Sequence, residues 1–180
     1  TCARNVKTAH GEFRRLLNQI AGLMTFAVSR HFGVEEIEVE TPIERTVGVR
    51  LARPVTLVPI LRAGIGMTDG ILALIPEARV GHIGVYRDEE TLDPVSYYTK
   101  LPEDIARSEV LIVDPMLATG GSASFTITEL KKRGCTDLHL ICLVAAPEGV
   151  KRMLDDHPDV LVHAAGLDRE LNERGYICPG

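Results

Sequence analysis

The chain has 180 residues, 45% hydrophobic and 25% charged, the size and balance of one globular domain with a full core. Its formal net charge of -5 argues against a protein that coats nucleic acid, which needs a surplus of Lys and Arg on one face, and favours small-molecule chemistry. The cysteines Cys2, Cys135, Cys142 and Cys178 show neither metal-ligand spacing nor disulfide density, and no apolar run approaches the roughly 20 residues that span a bilayer, so the expectation is a cytoplasmic protein.

In chain order, Phe13, Leu16, Leu17, Ile20, Met24, Ala27 and Val28 follow a helical rhythm, which predicts an amphipathic helix over 12–31 with Gly33 as its stop. Ile37 and Val39 alternate with Glu36, Glu38 and Glu40, a half-exposed strand expected outside the main sheet. Apolar runs at 55–60, 80–86, 110–113, 138–145 and 160–164 read as buried parallel strands. Between them, 66–74, 122–133 and 148–156 read as helices, with Gly134 as a stop and Pro147 in a first turn. The alternation predicts an α/β fold, an open and mainly parallel sheet flanked by helices, in one domain. The charged, tyrosine-containing stretch 87–102 breaks the rhythm and reads as a protruding arm or lid.

In such a sheet the ligand crevice lies beyond the carboxyl ends of the strands. The strongest turn there is Asp114, Pro115, Met116, Leu117, Ala118, Thr119, Gly120, Gly121 and Ser122, running from a buried strand into a helix. Small residues let backbone N–H groups converge, the helix N-terminus adds partial positive charge, and two hydroxyls add donors: a phosphate cradle. It is not a nucleoside-triphosphate loop, because no lysine lies between Asp114 and Thr128. Asp114 would repel a bare phosphate but suits a sugar phosphate with hydroxyls to donate. A second turn, Pro59 to Gly66, carries Arg62, a forked donor suited to pyrophosphate, although its Gly64, Gly66, Gly70 spacing is off by one from the dinucleotide fingerprint. The third turn, Ala145 to Gly149, is expected either to pack at the same edge or to be a simple capped helix start, and is given no chemistry. Arg87 is either a clamp on a polyphosphate or a surface charge, and the six histidines form no metal-ligand spacing.

The segments Val58 to Gly64, Tyr86 to Thr91, Val113 to Ser122, Val144 to Gly149, and Leu171 through Tyr176, Ile177 and Gly180 resemble uracil phosphoribosyltransferase, a type I phosphoribosyltransferase family. Where the broader signature has a second acidic residue, this chain has Pro115, as the uracil branch does. The resemblance implies transfer of the phosphoribosyl group from 5-phosphoribosyl 1-diphosphate to uracil in pyrimidine salvage, with Mg2+ carried by the diphosphate substrate. It implies the residues from Asp114 to Ser122, with Arg62 and Arg87, as the phosphoribosyl diphosphate site, Asp114 and Arg62 as catalytic, and Ile177 as a uracil contact. No metal ligand is expected among the side chains, and the expected partners are the two small substrates and further copies of the chain in a homo-oligomer, at least a dimer. Residues 1–180 fall within the family pattern, between its His-Pro-Leu region and its Gly-Leu-Gly-Asp-Ala-Gly-Asp-like stretch. The alternative is a non-catalytic, ligand-sensing homologue that keeps the phosphoribosyl diphosphate site.

Overall fold

The computed structural model describes residues 2–87 and 94–180, with the side chain of Arg87 outside the described set. Helix α1 (His10–Ser29) is followed by a separate antiparallel ribbon of β1 (Val34–Glu40) and β2 (Arg45–Leu51). Then come β3 (Val55–Leu61), α2 (Ile65–Leu72), the short β4 (Arg79–Val80), β5 (His82–Arg87) and β6 (Pro94–Lys100). The chain continues through β7 (Glu109–Val113), the short β8 (Met116–Leu117), α3 (Gly121–Lys132), β9 (Leu138–Ala145), α4 (Pro147–Asp156) and β10 (Leu161–Leu167). It closes with the small hairpin β11 (Glu170–Leu171) and β12 (Ile177–Cys178).

The main sheet runs β10-β9-β7-β3-β5-β6, with only β6 antiparallel on that path. Its central strands are apolar on both faces because helices cover both. Leu57, Leu111, Val113 and Ile141 pack with Leu17, Ala21, Val28, Met67 and Ile71 from α1 and α2. Val58, Ile60, Ile112, Leu140 and Cys142 pack with Ala123, Ile127, Leu130 and Met153 from α3 and α4. Each fully buried Leu or Ile contributes about 1.5–3 kcal/mol relative to exposure.

Several expectations shift. The first helix begins and ends two residues earlier than the 12–31 span, and Gly33 does not have the positive φ of a left-handed stop; the chain leaves the helix through Arg30. The buried stripe is Leu17, Ala21, Thr25 and Val28, so Phe13 and Ala27 from the apolar rhythm are exposed. Residues 45–51 form a strand that periodicity missed, because its alternation of Val47 and Val49 is exposed rather than buried. The 80–86 strand divides at Gly81 into β4 and β5, and the 160–164 strand extends to Leu167. The arm at 87–102 contains β6, so its return limb is the antiparallel edge of the main sheet; residues 88–93 of it lie outside the described residues.

Two stops match their reading. Gly134 has φ 84° and, with Cys135, closes α3 through bonds from the Gly134 N–H to Lys131 (2.9 Å) and the Cys135 N–H to Leu130 (3.2 Å). Pro147 opens α4, with Ala146 as its cap.

Candidate active site

The pairing of β3 with β7 puts Pro59 level with Val113, so Arg62 and Asp114 leave adjacent strands at the same carboxyl edge. The turn after β3 sits hard against β7: a Cβ on Gly64 would lie 2.3 Å from the Val113 carbonyl oxygen, so only glycine fits. Gly70, by contrast, belongs to helix packing, its backbone N–H donating to Asn18 Oδ1 at 2.9 Å and its Cα pressed on the Asn18 carbonyl. The off-register glycine spacing therefore has two separate structural causes. Arg62 is exposed beside a cleft of about 620 Å3 lined also by Leu61, Ala63, Val85, Tyr86 and Tyr97. Its peptide bond with Leu61 is cis.

Asp114 continues the β7 ladder by one bond, its N–H donating to Ile141 at 3.1 Å, and is then half-buried at the strand end. Burial pushes its carboxyl up from 3.8 to about 7, opposed by a hydrogen bond from the Met116 backbone. The following residues are firmer than a loop. Pro115 accepts from the N–H groups of Leu143 and Val144 at 3.0 and 3.1 Å, and β8 pairs in parallel with Val144 and Ala145. Leu117 is buried in the core, so within the expected cradle its side chain supports rather than faces a ligand.

Gly120, with φ 77°, turns the chain into α3 and caps it without a side-chain bond. The first N–H groups of a helix have no intrahelical acceptor, so those of Gly121, Ser122 and Ala123 are oriented for an anion. The turn at Ala145 to Gly149, read without chemistry, is what braces this cradle. A Cβ on Gly149 would lie 2.4 Å from the Ala118 carbonyl oxygen and 2.8 Å from that of Leu117, so α4 can pack on the cradle only through glycine. The residue type was visible in the sequence, but the long-range contact that requires it was not.

The end of the chain joins the same edge. Asp168 N–H bonds Ala145 O at 2.8 Å, and Leu171 N–H bonds Glu148 Oε1 at 2.9 Å, docking the β11–β12 hairpin on the start of α4. Gly175, at the hairpin turn, faces Thr119, and Ile177 is buried within β12. Arg87 ends β5, beside β3; its side chain lies outside the described residues.

Two other clusters lack this geometry. Ser124, Asp156 and His157 meet between α3 and α4, but Asp156 accepts directly from Ser124 (2.6 Å) while Lys131 lies at the far ring nitrogen (3.3 Å). An acid on the serine rather than behind the histidine cannot set up a nucleophilic relay. His31, His139 and His163, separated in sequence, gather with ring centroids 5.4–6.2 Å apart. Burial, then His163 and His31, push His139 down to about 4. Among the described residues no group of three or more His, Cys, Asp or Glu has the geometry to hold a metal ion, and no helix is long and apolar enough to cross a membrane.

Comparison with known proteins gives the edge a family. A protein from Streptococcus salivarius named uracil phosphoribosyltransferase is 56% identical over 178 residues, 98% of this chain and 85% of that protein. One of the same name from Lactobacillus delbrueckii subsp. bulgaricus is 55% identical over 181 residues, covering 100% of this chain and 87% of its own length. The solved structure of the AQ2163 protein from Aquifex aeolicus superposes with a TM-score of 0.92 at 36% identity over 99% of this chain and 86% of that one. A Staphylococcus aureus hypoxanthine phosphoribosyltransferase, at 14% identity and a TM-score of 0.59 over 92% and 83% of the two chains, shares the fold. The uracil phosphoribosyltransferase family model matches residues 1–180, and with these relatives it shows that the chain belongs to that family.

Proposed function

We propose that the chain transfers the phosphoribosyl group of 5-phosphoribosyl 1-diphosphate to uracil, giving UMP and diphosphate, a pyrimidine-salvage reaction. The observation that carries this reading is the convergence on one sheet edge of a helix-N-terminal cradle, a carboxylate and an exposed arginine in a chain of this family. Family membership gives no support to a non-catalytic sensor.

In this reading the backbone from Ala118 to Ser122 holds the 5-phosphate, Asp114 accepts from the ribose hydroxyls, and Arg62 with Arg87 carries the charge of the diphosphate. The bond from the anomeric carbon to the diphosphate oxygen breaks with its electron pair leaving on diphosphate. N1 of uracil bonds to that carbon and its proton passes to solvent. The transition state is rich in positive charge on the sugar, so the protein acts by orienting the base and by balancing charge on both sides of the breaking bond. An ionised Asp114 stabilises the cationic sugar. The segment around Ile177 reads the base through its backbone.

Mg2+ enters with the diphosphate substrate, whose charge it partly neutralises. One carboxylate and an exposed guanidinium are a donor set for a metal-bound phosphate rather than for a bare cation. The 87–102 arm, anchored by β6, is read as a cover that limits hydrolysis of the activated sugar. An apolar groove of about 860 Å3 with Leu23, Phe26 and Leu74 on its walls supports a homo-oligomer, at least a dimer. Four free cysteines support a reducing, cytoplasmic setting, and the whole reading is of one phosphoribosyltransferase domain.

The test is formation of labelled UMP from labelled uracil in the presence of phosphoribosyl diphosphate and Mg2+, with one diphosphate released per UMP. Absence of UMP from folded protein would overturn the proposal.

A further inference from the structure

Arg4, in a turn of 3-10 helix ahead of α1, reaches 164 residues along the chain to Asp168. Its two terminal nitrogens meet the two Asp168 carboxylate oxygens at 2.7 Å each, a bidentate fork. The same guanidinium donates to the Gly180 carbonyl oxygen at 3.0 Å, and the Gly180 N–H returns to Asp168 Oδ2 at 3.0 Å. Asp168 is itself nearly buried, its side chain 7% exposed, and its backbone is fixed to Ala145 at the end of β9. Arg169 N–H bonds the Cys178 carbonyl oxygen at 3.0 Å, so the chain immediately after Ile177 is tied to the 168–169 step at both Cys178 and Gly180. The turn that presents Arg4 is held by Thr8, whose hydroxyl donates to the Cys2 carbonyl oxygen at 2.6 Å. Gly166 of β10 leaves room for the guanidinium, since a Cβ there would come 3.2 Å from Arg4 Nη2.

With its Arg4 side chain 41% exposed to water, the pair is screened and worth little to global stability. This pair has a narrower purpose: both partners also hold Gly180, three residues beyond the proposed uracil contact. We propose that Arg4 and Asp168 are positioning residues for the base site, fixing the backbone from Ile177 to Gly180 so that its polar groups present one geometry to uracil. The proposal rests on the reading of that segment as the base contact. Both act through the backbone that they hold, and neither is among the groups assigned to the substrates or the reacting atoms. Displacing a positioned group by about 1 Å costs up to 100-fold in rate, and a segment held from one side only should lose about tenfold in base affinity.

The experiment is steady-state kinetics of the protein and of Arg4→Ala, Arg4→Lys and Asp168→Asn, with urea unfolding of each. Alongside it, hydrogen exchange of the parent is followed with and without UMP. The expected result is a uracil KM raised about tenfold in Arg4→Ala and Asp168→Asn, with the KM for phosphoribosyl diphosphate within twofold of the parent and the urea midpoint nearly unmoved. Arg4→Lys, which offers one ammonium in place of the fork, should recover part of the loss. If UMP protects the amides of residues 176–178 but uracil KM is unchanged in Arg4→Ala, the positioning role is wrong while the base contact stands. If both KM values and the urea midpoint move together, the pair is merely structural and the proposal fails. If UMP gives those amides no protection, the base-contact reading fails and takes the positioning role with it.

Discussion

Asp114→Asn should stabilise the fold while weakening the enzyme, and the size of the gain follows from burial. The carboxyl rises from 3.8 to about 7 because half-burial at the end of β7 disfavours its charge. Each tenfold change in proton affinity is worth about 1.4 kcal/mol, so holding Asp114 ionised costs roughly 4 kcal/mol at most. Water reaching a half-buried group screens part of that, leaving about 1–3 kcal/mol. Between pH 3.8 and about 7 the folded protein binds the extra proton, so this group's contribution to stability declines as pH rises through that window. Asparagine keeps an acceptor for the Met116 N–H and carries no charge to penalise. Urea unfolding at pH 5 and pH 8 should therefore show the variant gaining on the parent chiefly at pH 8. Its KM for phosphoribosyl diphosphate should rise about tenfold, because a neutral amide is a weaker acceptor for ribose hydroxyls than a carboxylate. Equal stability of parent and variant at both pH values would refute the claim that Asp114 is held charged against its surroundings.

Gly149→Ala should destabilise the protein by about 2 kcal/mol or more, since the new methyl would meet the Ala118 carbonyl oxygen at 2.4 Å, and titration with phosphoribosyl diphosphate should show weakened binding. Leu130→Ala removes a fully buried side chain from beneath α3 and should cost about 2–5 kcal/mol in urea unfolding, with substrate KM values little changed. Arg62→Ala should raise the KM for phosphoribosyl diphosphate at least tenfold while leaving the urea midpoint within about 0.5 kcal/mol of the parent, because the side chain is exposed; unchanged kinetics would remove its assigned role.

The centre of the sheet was legible because its strands are buried on both faces and so read as unbroken apolar runs, as in Val110 to Val113, whereas the edge strand β10, expected to be buried, is largely exposed. The β1–β2 ribbon was half legible: Ile37 and Val39 alternate with glutamates, but Val47 and Val49 are solvent-facing and gave no core signal. The first helix offered more apolar positions than the sheet could cover, so periodicity fixed its existence and not which of Phe13, Leu17 or Ala27 is inside. At the site, Asp114 and Arg62 could be named because both follow apolar runs directly. What could not be read were tertiary contacts between distant segments: Gly149 beneath Ala118, Glu148 on Leu171, and Arg4 on Asp168. Such pairs leave no periodicity in one sequence. Nor did the sequence reveal that Met116 and Leu117, within the expected cradle, pair in parallel with Val144 and Ala145 as an extension of the sheet.

The most direct test of the account is a competition among free bases. The protein is given uracil, cytosine, adenine, guanine and hypoxanthine together with phosphoribosyl diphosphate and Mg2+, and the nucleotide products are separated. The account predicts UMP as the dominant product, one diphosphate per UMP, and loss of that product in Arg62→Ala at low phosphoribosyl diphosphate. Formation of a purine nucleotide in preference to UMP, or no nucleotide from folded protein, would contradict it.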